Sequence, residues 1–260
     1  MADQYGKKWT REETILAFDL YCNMPFSKVT KRNPRIIELA SLIGRTPDSV
    51  VFKIGNLAHH DPKMIAKNIK GLSNTSKLDR MIVEEFFENW EELSYQAKLI
   101  LAERQQKEVK DLVPIDDLLE IPAGTYRDTA IKQRVGQYFF RNSVITAYNG
   151  RCCVTGLNCS ELLIASHIKP WSVSDSRTER TNPSNGLCLN ALHDKAFDRG
   201  LITIDQKYRI IISPQLSNAN MDADTKDWFG KYEGREILLP DKFLPGKDFI
   251  EYHNDMIFQR

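Results

Sequence analysis

The apolar residues of this chain change period once, near Asn149-Gly150, and that change constrains the fold more than any other feature. Upstream they recur at helical spacing. Trp9, Ile15, Leu16, Phe18 and Leu20 make one stripe, and Thr10 with Glu13 before it has the spacing of a capping box. Ile36, Ile37, Leu39, Ala40 and Leu42 make a second, closed by Gly44. Thr46-Pro47 starts a third, which turns Val50, Val51, Ile54 and Leu57 to a core. Residues 76–112 read as one long helix or two shorter ones with an acidic solvated face. Leu112–Tyr126, with Pro114, Pro122 and Gly124, reads as a linker, and residues 131–149 as another amphipathic helix. Beyond Gly150, ELLIASHI is strand-like, SVSDSRTERTNPSN is a polar loop and NALHDKAFD is helical. LITID and YRIII then make a strand pair across Gln206-Lys207. The expected class is α+β: a helical domain over 1–75, an acidic helical linker over 76–125, and a strand-bearing domain over 126–260.

Composition narrows the function classes. With 42% hydrophobic and 27% charged residues, 260 residues can bury a real core. No window approaches the roughly 18 uninterrupted apolar residues of a membrane span. The opening MADQYGKKWTREET has no apolar stretch of the kind a secretory signal needs. The cysteines, Cys22, Cys152, Cys153, Cys159 and Cys188, are odd in number and unevenly spaced, so a reducing cytoplasm fits better than a disulfide scaffold. The net charge of +1 conceals segregation. Residues 1–75 hold 12 Lys and Arg against 7 Asp and Glu; residues 76–125 hold 6 against 12. Residues 126–213 hold 12 against 7, and residues 214–260 hold 6 against 9. Two basic segments separated by an acidic one suit two nucleic-acid-facing surfaces on one chain. Chance segregation on solvated faces is the plain alternative.

Helix, glycine turn, capped helix over 34–57 is the spacing of a helix-turn-helix. The third helix would then be the reader, offering Ser49, Lys53 and Asn56 to DNA. A three-helix bundle with no nucleic-acid role uses the same spacing.

The chemistry lies between Leu162 and Asp205. His167 ends an apolar strand, a polar loop carries Asn182 and Asn185, and His193 sits on a short helix: the order of a ββα-metal motif. Phosphodiester hydrolysis needs a base to activate water and a cation to stabilise the leaving oxygen. One imidazole, titrating near neutrality, can be the base, and a second, neutral one can hold a metal. An Asn near the first strand can hold the loop and orient the base.

GRCCVTGLNCSELLIASHIKPW followed by NPSNGLCLNALHDKAFDRGLITID resembles the HNH (ββα-metal) endonucleases, in the branch of predicted restriction endonucleases. The resemblance covers roughly 130–260, including RVGQYFFRNSVITAYNGRC and FLPGKDFIEYHNDMIF. WTREETILAFDLY and IGRTPDSVVFKI are similar, more loosely, to segments paired with such nuclease domains. The resemblance implies a catalytic set of His167 as general base, Asn185 steadying it, and His193 as metal ligand. Many members have an Asp before the first His, where this chain has Ser166; some have a His one turn after the last, where it has Phe197, a core residue. The second ligand is therefore open among Asp198, Asp194 and Asn190, with Asp198 put first, and a site leaning on water and phosphate suits Mg²⁺ or Mn²⁺. Asp198-Arg199-Gly200 also has a purely structural reading, ending the helix. Lys169, Arg177 and Arg180 would grip phosphates, unless the loop is merely solvated. Paired CxxC motifs are absent, which excludes a structural zinc knuckle, and His59-His60 reads as an exposed pair. The implied function is a metal-dependent endonuclease of restriction or defence type acting on double-stranded DNA, away from membranes, with a homodimer allowed. The alternative is a non-catalytic DNA-binding protein with a degenerate HNH domain.

Overall fold

The computed structural model describes residues 6–61, 75–87, 89–113 and 127–260. Contacts divide the chain into two compact units: Met1–Ser143 with Ser176–Asn182, and Val144–Asp175 with Pro183–Arg260. Most of the linker read over 112–126 lies outside the described residues.

In the first unit α1 (Arg11–Cys22) is the central helix. Thr10 caps it, with Glu13 closing the reciprocal capping box. Against α1 pack α3 (Pro47–His59), α4 (Lys77–Phe86) and α5 (Trp90–Gln105), while α2 (Pro34–Leu42) packs on α3. Residues 76–112 are thus two helices and a closing 3-10 turn. The core is aromatic: Trp90 lies between Phe18 and Phe139, with ring centroids 6.1 Å away on each side. Two buried ion pairs tie the helices, Arg45–Glu13 at 2.7 Å and Lys53–Asp79 at 2.5 Å.

The helix α6 (Arg127–Ala147) runs into the second unit. There β1 (Leu163–His167) and β2 (Gly186–Asn190) pair antiparallel, from Leu163 opposite Asn190 to His167 opposite Gly186. Leu187, Cys188 and Leu189 are all buried, so β2 lacks the alternation that marks a half-exposed strand. Its backbone is continuous with α7 (Ala191–Asp198), which packs on both strands. A second hairpin, β3 (Ile202–Ile204) with β4 (Ile210–Ile212), follows; its loop is closed by Asp205, which accepts from the Lys207 and Arg209 amides at 2.7 and 2.8 Å. Later come α8 (Ala223–Gly230) and α9 (Lys247–Met256). His253 of α9 bridges Thr203 Oγ1 at 2.8 Å and the Phe197 carbonyl at 3.1 Å, and its ring stacks on Phe197. Gly200, between α7 and β3, has φ +67, and a Cβ there would stand 2.0 Å from the Ile257 carbonyl oxygen. Only glycine fits that approach. All five cysteines are free thiols, and among the described residues no helix is long and apolar enough to cross a membrane.

Candidate active site

The site begins where β1 ends. His167 is half-buried, its ring edge-on to Trp171 with centroids 5.6 Å apart. The chain beyond it is pinned by Asn185, which is 0% exposed. Asn185 Oδ1 accepts from the Lys169 amide at 2.8 Å, and Nδ2 donates to the Lys169 carbonyl at 3.1 Å. The side chain thus stands in for a neighbouring strand, satisfying both polar groups of one peptide-bearing residue. The Ile168 amide donates to the Asn185 carbonyl at 2.9 Å, and the single Ser174 hydroxyl proton is shared between the carbonyls of Lys169 and Pro170. Asn182, the other candidate for this role, is bound to its own turn through the Thr178 carbonyl.

The opposite wall comes from α7. Asn190 caps it, accepting from the His193 amide at 2.9 Å and facing His193 Nδ1 at 3.0 Å. Residues four apart share a face of a helix, and adjacent residues point about 100° apart. His193 and Phe197 are both buried. Asp194 and Asp198 occupy the neighbouring face and line, with Ser166 and His167, a cleft of about 490 Å³. Lys195, Arg199 and Trp171 complete its walls.

The electrostatics separate the two faces. Burial raises the Asp194 carboxyl, opposed by Ser166 and Lys195. Burial and then the charge of Asp194 raise Asp198, opposed by Lys195 and Arg199. Neither carboxylate has an ion-pair partner among the described residues. His193, by contrast, is 3% exposed, lies against the rings of Phe229 and Tyr232, and is held below the ordinary imidazole range by burial.

Residues 152–205 match the family model described as HNH endonuclease. Through this segment, about a fifth of its length, the chain is similar to the HNH endonucleases. No curated protein matches the chain. A solved "Modification dependent TagI restriction endonuclease" shares 19% identity over 45% of this chain, with a TM-score of 0.28. The chain spans little more than a third of that protein, 37%, and a likeness so low bears on neither fold nor activity.

Within the HNH segment, then, His167 and Asn185 come together as base candidate and loop clamp, and Asp198 lies in the same cleft. His193 does not line that cleft. Its imidazole is directed into the apolar contact with Phe229 and Tyr232, because it shares the buried stripe of Phe197. No group of three or more His, Cys, Asp or Glu able to hold a metal occurs among the described residues. Of the other candidates, Lys169 holds its ammonium 5.4 Å from the Tyr252 ring centroid. Arg177 is exposed and Arg180 half-buried, on the 176–182 segment that groups with the first unit. Ser49 and Asn56 are half-buried on α3, while Lys53 is buried and paired with Asp79. Sequence reasoning missed Trp171, Lys195 and Arg199. The Asp194/Asp198 spacing and the stripe shared by His193 and Phe197 were the signals that could have ordered the helix faces.

Proposed function

We propose that the chain is a metal-dependent endonuclease of restriction or defence type that hydrolyses phosphodiester bonds in double-stranded DNA. One observation carries the reading: His167, its loop pinned by buried Asn185, shares one cleft with the unpaired carboxylates Asp194 and Asp198. His167 takes the proton of the attacking water, and Asn185 keeps its strand end in place. The ligand role expected of His193 passes to Asp194, with Asp198 retained as the second ligand. Two carboxylates one helical turn apart, both raised by burial and Asp198 also by the charge of Asp194, fit a hard divalent cation, Mg²⁺ or Mn²⁺, with water completing its shell. When bound, such an ion supplies positive charge for the phosphate and the leaving 3′ oxygen. Lys195 and Arg199 neutralise phosphate at the mouth, and Lys169, Arg177 and Arg180 grip the flanking backbone.

In the same reading residues 1–75 dock DNA through the helix-turn-helix-like pair α2 and α3, residues 76–125 link, and residues 126–260 cut. The protein works in the cytoplasm, and a homodimer would supply a second cleft for the second strand. Plasmid nicking with Mg²⁺ or Mn²⁺ tests the proposal. His167→Ala should lose cleavage by roughly 10²–10⁴-fold with its circular dichroism spectrum unchanged. Near-wild-type nicking by that variant would remove His167 from the mechanism. Wild-type protein that binds DNA yet never nicks it would favour a non-catalytic DNA-binding role, which the serine at 166 also suits.

A further inference from the structure

The first unit carries a groove of about 780 Å³ on the outer face of α3, walled by Trp9, Ser49, Phe52 and Asn56 and floored by Lys53 and Asp79. We propose that this groove receives a single nucleobase of DNA, turned out of its stack. The inference rests on the DNA-docking role of residues 1–75 and specifies what that docking reads.

Three observations support it. The first is aromatic surface without a packing role: Phe52 is 58% exposed on the helix face that looks away from α1 and α2. Beside it Trp9 is held by cations, with the Arg45 guanidinium 4.4 Å and the Lys53 ammonium 4.8 Å from its ring centroid. Arg45 is itself fixed by buried Glu13 at 2.7 Å, so the indole is preorganised rather than loose. Aromatic platforms of this kind stack on any base.

The second is the floor. Lys53 is 4% exposed, and its one hydrogen bond among the described residues goes to Asp79 Oδ1 at 2.5 Å. An ammonium carries three donors. Asp79 takes one and balances the charge, so the groove is floored by an ion pair with no net charge and with N–H donors to spare. Such a floor suits a neutral acceptor, the carbonyl or ring nitrogen of a base, better than a phosphate. The Asn56 amide and Ser49 hydroxyl add a donor and acceptors on the wall.

The third is the rim. Lys8 and Lys77 are exposed there, while Asp48 is drawn to Lys31 at 3.4 Å. Cations at the rim above an electrically neutral, aromatic interior match a nucleotide, whose charge lies on its backbone and whose flat apolar faces belong to its base. An enzyme that draws a base out of a duplex must meet the cost of unstacking it, so DNA whose base is already unpaired binds more tightly.

The test uses the full-length protein with EDTA, so that nothing is cut, and fluorescence anisotropy with two labelled duplexes. One is fully paired; the other has a single unpaired 2-aminopurine at its centre. The expected result is roughly tenfold tighter binding of the second, with quenching of 2-aminopurine emission as it stacks. Phe52→Ala, an exposed position that leaves the fold intact, should abolish both the preference and the quenching while fully paired DNA binds within about twofold of wild type. Asn56→Ala should weaken the preference without abolishing the quenching. Equal affinity for the two duplexes, or a preference that survives Phe52→Ala, overturns the base pocket and leaves DNA docking standing. Failure to bind either duplex removes the docking role itself, and the pocket with it.

Discussion

The two units treat buried carboxylates in opposite ways. In the first, Glu13 and Asp79 each meet a buried cation, Arg45 at 2.7 Å and Lys53 at 2.5 Å, and each also accepts a backbone amide at a helix start. In the second, Asp194 and Asp198 sit one turn apart on α7 with no ion-pair partner among the described residues, and burial raises both. A carboxylate that the fold has already matched holds helices together. One left unmatched beside a candidate base keeps its charge for a ligand. The difference predicts that removing charge from the second pair harms chemistry and not stability, and that disturbing the first does the reverse.

The largest effect is expected in the cleft. Asp194→Asn and Asp198→Asn should each lower Mn²⁺-supported nicking by about two orders of magnitude or more, since several kcal/mol of charge stabilisation depend on the ion they are proposed to hold. Urea midpoints measured without metal should stay equal to wild type or rise. A drop of stability in either variant would mean that the carboxylates are structural and would erase the contrast.

In the first unit, Lys53→Ala strands the Asp79 charge in the interior. A loss of about 3–5 kcal/mol is expected from denaturant unfolding, the size seen when one member of a buried pair is removed. The charge-neutral double change Lys53→Met with Asp79→Leu should recover most of it. If Lys53→Ala unfolds at the wild-type midpoint, the pair is not holding α3 to α4.

A smaller effect sharpens the comparison by pH. Burial holds His253 down to about 4, against an ordinary value of 6.5, with its bond to the Phe197 carbonyl opposing. The folded protein therefore binds fewer protons than the unfolded chain between those values, and stability falls as pH drops through that window. The full loss is at most about 3 kcal/mol, at 1.36 kcal/mol per pH unit. His253→Gln should flatten the fall between pH 6.5 and pH 4. A profile as steep as wild type would place the acid sensitivity elsewhere.

Much of this was legible in the sequence because it depends on local order. The capping box at Thr10 and Glu13, the stop at Gly44 and the start at Thr46-Pro47 are short-range signals, and the helices begin and end there. So is the run of strand, polar loop and short helix that carries His167 and Asn185, the run that the HNH family model matches over 152–205. β2 escaped because all three of its central side chains are buried, and a strand covered on both faces has no period of two.

What the sequence alone determined is that His167 ends a strand, that a short helix bearing His193, Asp194 and Asp198 follows, and that the segment resembles the HNH endonucleases. Which face of that helix meets His167 was decided by the tertiary structure. His193 and Asp194 are adjacent in sequence yet about 100° apart around α7, so a one-residue choice exchanges an imidazole for a carboxylate in the cleft. The sheet takes the stripe with the most apolar area to bury, and Phe197 carries His193 inward with it. Lys53 follows the same rule from the other side. Its position on α3 suits a reader of phosphate, but the arrival of α4, bringing Asp79 to 2.5 Å, ties that ammonium into a buried ion pair. Long-range packing chooses the partner of a charge, and no local pattern encodes that choice.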